Sequence, residues 1–180
     1  MTSLELATLP SPLGPLAVAA GPAGLVALDL EGDEEGMLRR LERRFGKLGR
    51  SRTSDPEGIV EALRRYFDGR LDALDGVRVD PGGTAFQFQV WLTLRRIRAG
   101  ETWSYTRLAA EVGRAGAVRA VGAANGANPL PLVLPCHRVI GSDGRLVGYG
   151  GGLDRKQWLL AHEHARFVTS RQARLPLAPA

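Results

Sequence analysis

The hydrophobic period of the chain changes once between residues 3 and 67, and that change limits the folds open to it. Three short apolar segments come first, Leu4–Leu9, Leu13–Ala20 and Leu25–Leu30, separated by Pro10-Ser11-Pro12 and Gly21-Pro22-Ala23-Gly24. Short apolar runs punctuated by Pro and Gly predict an antiparallel meander. From Glu34 to Phe45 the spacing becomes helical, with Met37, Leu38, Leu41 and Phe45 on one face, arginines on the other and Gly46 ending the run. A second helix is predicted from Asp55 to Phe67, with Ser54 as N-cap, Pro56 in the first turn and Ile59, Val60, Leu63, Tyr66 and Phe67 as its apolar stripe. The arginines of both helices read as solvated outer faces, and residues 1–70 show no catalytic grouping.

Residues 68–83 are turn-rich, from Asp68-Gly69-Arg70 to Pro81-Gly82-Gly83, and predict a boundary. The chain then divides into residues 1–78, residues 79–168 and a weakly ordered Arg-, Pro- and Ala-rich tail over 169–180, which makes it a two-part α+β chain. In the second part Thr84 opens a helix whose Phe86, Val90, Trp91, Leu94 and Ile97 face a core. Ser104 or Thr102 caps a short helix built on Leu108, Ala109 and Val112, which Gly113 stops. Ala117–Asn125 follows as a helix of small residues carrying one long cation, Arg119. Two short helices joined by a Gly-containing turn fit a helix-turn-helix, although ordinary helix pairs look alike.

The run Leu132-Val133-Leu134-Pro135-Cys136-His137-Arg138-Val139-Ile140 predicts a buried strand that departs from regular geometry at Pro135. It holds the chain's single cysteine. An adjacent imidazole can raise the thiolate fraction of such a thiol, but an apolar-flanked Cys is also a common core filler. In an ideal strand, moreover, neighbours face opposite ways. Asn128-Pro129 reads as a turn that fixes the surroundings of the thiol. Gly141-Ser142-Asp143-Gly144 reads as a hairpin-like turn. Gly148-Tyr149-Gly150-Gly151-Gly152 reads either as a loop that brings backbone amides to a ligand or as plain flexibility. Asp154 to Glu163 is predicted helical, with Trp158, Leu159 and His162 toward the core.

Composition narrows the chemistry further. One cysteine in 180 residues excludes an intrachain disulfide and a cysteine-rich metal site, and fits a reducing, cytoplasmic setting. Three histidines are too few for a metal cluster. No long apolar span and no charged-then-apolar leader occur, so the chain is expected to be soluble, to stay where it is made and to have no membrane partner. The formal charge is +5, and 24 basic residues less Lys47 and Lys156 leave 22 arginines. That excess fits an acidic partner such as nucleic acid, or a bias of genome composition.

Ser104-Tyr105, Arg119-Ala120-Val121-Gly122, Asn128-Pro129, Pro135-Cys136-His137-Arg138-Val139, Gly148-Tyr149 and Leu159-Leu160-Ala161-His162-Glu163 together resemble the O6-alkylguanine-DNA alkyltransferases, over roughly residues 83–163. The resemblance implies a ribonuclease-H-like N-terminal domain, an antiparallel sheet plus helices, and a C-terminal helical domain with a helix-turn-helix of the winged-helix type. It implies irreversible transfer of an alkyl group from O6-alkylguanine, and from O4-alkylthymine, to Cys136 after the nucleotide is flipped. His137 would deprotonate the thiol through a water, with Glu163 orienting the imidazole. Asn128 would hold the turn around the thiol, and Tyr105 would donate to the guanine ring. The carbonyls of Cys136 and Val139 would read the exocyclic amine, the Gly150 amide would sit against O6 beside Tyr149, and Pro131 would wall the alkyl pocket. Arg119 would fill the space of the flipped nucleotide, with Ala120, Ala123 and Ala124 as clearance for a helix in the minor groove.

The resemblance also implies a monomer acting on double-stranded DNA, without a cofactor. No zinc is expected, because the cysteines of zinc-binding relatives are absent. Arg98 and Ala115 stand where prolines are common in that family, Gly150 where Ser or Ala is frequent, and His164 where Gly usually follows the glutamate. A non-catalytic lesion-binding relative would lack Cys136. A Cys-His hydrolase would need an oxyanion hole, and a helix-turn-helix regulator would need base-reading side chains on its second helix.

Overall fold

The computed structural model describes residues 2–169; of the tail expected over 169–180, all but Thr169 lies outside them. The three predicted apolar segments form β1 (Thr2–Leu9), β2 (Leu16–Gly21) and β3 (Gly24–Asp29), paired antiparallel as a meander. β2 is central and buried on both faces. Leu16, Val18 and Ala20 point into one cluster, and Ala17 and Ala19 into another. The second cluster is covered by α1 (Glu34–Phe45), which brings Met37, Leu38 and Leu41 against Leu4, Leu6 and Val26. Asp33 caps α1 by accepting the Gly36 N–H at 2.9 Å, and Glu34 and Glu35 at its start with Arg43 and Arg44 at its end complement the helix dipole.

Two expectations about this half need correction. The sheet is mixed, in order β3-β2-β1-β4, because β4 (Leu48–Arg52) runs parallel to β1 on the outer edge. Leu-Gly-Arg-Ser-Arg has no apolar alternation because this edge strand buries only Leu48, and charged residues on an edge resist further pairing. The second helix is also shorter than its stripe suggests. Pro56–Gly58 is a 3₁₀ turn with Glu57 at φ 54° and Gly58 at φ 73°, and α2 begins only at Ile59, running to Phe67. Its start is held by Asp55 in place of Ser54: the Asp55 carboxylate accepts the N–H groups of Val60 at 2.7 Å and Glu61 at 3.4 Å.

The predicted boundary also does structural work. Leu25 donates to the Arg78 carbonyl at 2.9 Å and accepts from Asp80 at 2.8 Å, so residues 78–80 pair along the free edge of β3. Beyond them, Thr84 and Gln87 form a reciprocal capping box for α3 (Ala85–Leu94). Ser104 caps α4 (Tyr105–Glu111), Gly113 at φ 74° follows it, and α5 (Val118–Gly126) packs on α3 and α4. Before α4, β5 (Trp103–Ser104) pairs in parallel with β6 (Val139–Ile140). The last helix, α6, spans Leu153–His162. Ile59, Val60, Leu63 and Tyr66 of α2 share one continuous core with Val90, Leu94, Leu108 and Leu134, so the two sequence halves are buried against each other.

α6 ends in a Schellman-type turn, with Ala165 N–H to the Leu160 carbonyl at 2.8 Å and His164 N–H to Ala161 at 3.0 Å. His164 adopts φ 57° there, the left-handed conformation that a glycine takes without strain, so the backbone explains the usual Gly and not the histidine. A left-handed conformation costs a side-chain-bearing residue roughly 1–2 kcal/mol, part of which a glycine loses again as backbone entropy. His164→Gly is therefore expected to raise stability by about 1 kcal/mol in urea unfolding.

Candidate active site

Cys136 does not lie on a strand. The apolar run around it is buried because a loop passes through the core, with Leu132 at φ 74° and Pro131 and Pro135 unable to donate. Asn128 staples that loop: its amide donates to the Leu134 carbonyl at 2.6 Å, and its Oδ1 accepts the Leu130 N–H at 3.0 Å. Cys136–Arg138 then forms one 3₁₀ turn, closed by Arg138 N–H to Pro135 at 3.0 Å. At three residues per turn, successive side chains diverge by about 120°, so the strand geometry that would set Cys136 and His137 on opposite faces does not apply.

His137 is fully buried, and its Nε2 lies 3.0 Å from Glu163 Oε1, while its Nδ1 is buried with no protein partner. Glu163, 1% exposed, collects further donors. Arg138 grips it through Nη2 to Oε1 at 2.8 Å and Nε to Oε2 at 2.9 Å, and Tyr66 Oη donates to Oε1 at 2.7 Å. Arg138 also donates to the Ile97 carbonyl at 2.5 Å. Burial alone would raise the Glu163 carboxyl, but hydrogen bonds and charge from His137 and Arg138 outweigh it and hold the acid well below the usual carboxylate range. Burial pulls His137 below its ordinary 6.5 against the opposing pull of Glu163. Burial likewise raises the Cys136 thiol above 9.0, with hydrogen bonding from Asn128 and the charge of Lys156 acting the other way. At neutral pH the pair is therefore a neutral thiol and a neutral imidazole.

The thiol opens onto a cavity of about 170 Å³, whose walls include Pro131, Tyr149, Gly150 and Asn125 together with Leu28 and Leu30 from the first half. Tyr149 Oη and Asn125 Oδ1 are buried there without partners. Burial and the neighbouring Cys136 raise the pKa of the Tyr105 hydroxyl, and the Asn125 side chain lowers it. Lys156, fully buried, donates to the carbonyls of Val139 at 2.6 Å, Val147 at 2.8 Å and Gly148 at 3.3 Å. It thereby pins the glycine loop to the strand after the thiol, and burial lowers its pKa to about 8. The Val139 carbonyl expected to read a substrate amine thus already accepts the Lys156 ammonium.

Comparison with known proteins agrees with this geometry. Residues 5–81 match the ribonuclease-like domain of 6-O-methylguanine DNA methyltransferase, and residues 85–165 match the DNA binding domain of the same protein. A methylated-DNA–protein-cysteine methyltransferase of Shigella flexneri is 47% identical over 156 residues, covering 85% of this chain and 91% of the relative. The chain belongs to the 6-O-methylguanine DNA methyltransferase family. A methylated-DNA–protein-cysteine methyltransferase of Mycobacterium tuberculosis is 44% identical over 162 residues, 88% of this chain and 92% of the relative. The crystal structure of that organism's OGT in complex with DNA superposes with a TM-score of 0.74 at 39% identity, covering 89% of this chain and 92% of the other.

Against the family pattern, Cys136, Pro131, Tyr149 and Gly150 come together at one cavity, with His137 and Glu163 behind the thiol and Asn128 beneath it. On α5, Arg119, Ala120 and Ala123 are exposed, and Gly122 faces the Tyr105 ring, where a Cβ would sit at 3.6 Å. Ala124 corrects the expectation of a DNA-facing clearance residue. It is 4% exposed and its carbonyl accepts Trp91 Nε1–H at 2.7 Å, because helical spacing puts Val121, Ala124 and Asn125 on the core side.

Sequence reasoning missed Tyr66, Asn125, Arg138 and Lys156. An arginine inside an apolar run signals a buried carboxylate partner, and one of only two lysines among 24 cations marks a position a bulky guanidinium does not suit. Tyr66 and Asn125 carry no such signal. The Arg138–Glu163 pair is buried, so Arg138→Met strands a carboxylate and should lower stability by roughly 3–5 kcal/mol in urea denaturation. A loss below about 1 kcal/mol would show that water or the two remaining donors compensate.

Proposed function

We propose that this chain repairs O6-alkylguanine in DNA directly, by taking the alkyl group irreversibly onto Cys136. The observation that carries the reading is a buried thiol facing a small cavity, backed by a histidine whose far nitrogen is held by a buried glutamate. Glu163 at Nε2 fixes the tautomer that leaves Nδ1 as the acceptor, so His137 serves as base and Glu163 as orienter. A water bridging Sγ and Nδ1 would carry the proton. Sulfur then attacks the alkyl carbon, the S–C bond forms as the C–O6 bond breaks, and the electron pair stays on the guanine oxygen. Tyr105 delivers a proton to the ring as that charge develops and recovers it from the imidazolium through solvent. The net change is a thiol and an alkylated guanine becoming a thioether and guanine.

An O6 substituent inside a duplex cannot reach a thiol in a cavity, so the nucleotide must leave the stack, at a cost of a few kcal/mol. The exposed face of α5 suits that task. Arg119 projects beside the small Ala120 and Ala123, so the helix can approach the minor groove closely and fill the vacated place in the stack. The 22 arginines and net +5 charge favour the phosphate backbone. Tyr149, Gly150 and Pro131 surround the base and its alkyl group, and one copy of the chain holds every group the reaction needs.

Mixing equimolar protein and an O6-methylguanine duplex should add one methylene unit to the intact mass of the chain, localised to Cys136, and Cys136→Ala should take up nothing. An unchanged mass in the parent chain would overturn the proposal. Arg119→Ala should slow repair of the duplex by about tenfold, equivalent to roughly 1.4 kcal/mol, while reaction with the free O6-methylguanine base stays near the parent rate. Equal losses on both substrates would remove Arg119 from the flipping step.

A further inference from the structure

Residues 1–70 show no catalytic grouping in sequence, yet one side chain from them reaches the centre of the site. Tyr66, on the last turn of α2, is fully buried and donates through Oη to Glu163 Oε1 at 2.7 Å. The same oxygen accepts His137 Nε2 at 3.0 Å. The phenol is held rigidly: His162 Nε2 bonds the Tyr66 carbonyl at 2.8 Å, and the His162 ring packs edge-on against Tyr66 with centroids 5.2 Å apart. Burial and the neighbouring Glu163 charge raise the Tyr66 pKa far above its ordinary value, so Tyr66 remains a donor at every working pH.

We infer that Tyr66 is a positioning residue of the transfer reaction, through which the N-terminal half sets the basicity of His137. The inference rests on the alkyl-transfer reading. A donor placed on Oε1 withdraws negative charge from the atom that faces the imidazole. The less charge Oε1 carries, the less it stabilises an imidazolium, and the lower the pH at which His137 becomes protonated and stops serving as base. Tyr66 therefore widens the pH range of the reaction on its acid side. Arg138 acts on the same carboxylate in the same direction but also binds Oε2 and the Ile97 carbonyl, so it doubles as the structural anchor. The other titratable groups around the pair are Lys156 and Cys136 on the cavity side, Tyr149 across the cavity, and His162 behind Tyr66.

The test is the single-turnover rate of methyl uptake by the full chain, saturated with an O6-methylguanine duplex, as a function of pH. The parent should hold its plateau down through pH 6.5 and lose rate only at lower pH, because burial holds His137 under its ordinary value. Tyr66→Phe keeps the ring and removes the donor. Its acid midpoint should move up by about half a unit to one unit, with the plateau changed less than about threefold. Leu63→Ala, on the same helix and without a polar group, loosens the packing and should leave the midpoint in place. Should Tyr66→Phe fail to fold, site-specific replacement of Tyr66 by 3-fluorotyrosine keeps the ring and hydroxyl while strengthening the donor, and the midpoint should move down. An acid midpoint unchanged in Tyr66→Phe or in the fluorotyrosine protein, or one moved equally by Leu63→Ala, overturns the inference and leaves Tyr66 a packing residue. A parent chain that takes up no methyl at any pH overturns the alkyl-transfer reading itself.

Discussion

The buried carboxylate of Glu163 is the point on which the molecule depends. Taking that charge out of water costs several kcal/mol, and four hydrogen bonds from two other stretches of chain offset the loss: one from Tyr66, one from His137 and two from Arg138. Each donor comes from an element with its own reason to be nearby. α2 brings Tyr66 on the apolar stripe that covers the sheet, the 3₁₀ turn after Pro135 brings His137 and Arg138, and the C-cap of α6 brings the acid. Arg138 also reaches the Ile97 carbonyl beyond α3, so the carboxylate organises most of the C-terminal half as well as its contact with the first.

Elements with a strong period were legible from the residues alone. The meander and α1 follow from alternation, punctuation and helical spacing, and the start of α3 was marked by Thr84. What escaped was set by partners distant in sequence. β4 shows no apolar alternation because its pairing with β1 asks only for Leu48 to be buried. The run around Cys136 has the composition of a buried strand, yet its backbone bonds are satisfied by Asn128 and by local turns, so composition and conformation part company there. The thiol, the imidazole and Glu163 were legible through the family motif. The hydroxyl of Tyr66 was not, because on a helix stripe a tyrosine and a phenylalanine carry the same apolar signal.

The N-terminal half is more than a support for the second. β3 presents a free edge, and an unpaired edge strand is a liability. Here it is occupied on one side by residues 78–80 and further along by Pro129, whose carbonyl accepts the Leu28 N–H at 3.1 Å. That bond fixes the far end of the loop that Asn128 staples. On the other side of the cavity, a Cβ at Gly151 would meet the Leu30 side chain at 2.7 Å and the Tyr149 ring at 2.9 Å, so the loop lies close against the sheet there. Arg155 closes the arrangement by donating to Leu13 and Gly151 at once. The cavity beside the thiol is thus framed by both halves, and its shape depends on their packing.

The resting state of the thiol follows from the same burial. A reagent used once gains nothing from being reactive toward every electrophile, because each wrong reaction removes a molecule of protein. An exposed, low-pKa thiolate would be open to oxidation and to stray alkylation. Here burial holds the sulfur in its neutral form and the imidazole beside it neutral too, so neither has moved a proton before a substrate arrives. Proton transfer from one to the other creates a charge pair inside the protein, which is unfavourable in isolation and becomes favourable only when the thiolate's charge can pass onto a leaving group. Guanine with a proton donor at its ring is such a leaving group, and a simple alkyl ether is not. On the proposed alkyl transfer, the selectivity of the thiol would lie in the coupling between a base held neutral by burial and a substrate that can accept the displaced charge, rather than in the intrinsic nucleophilicity of the sulfur.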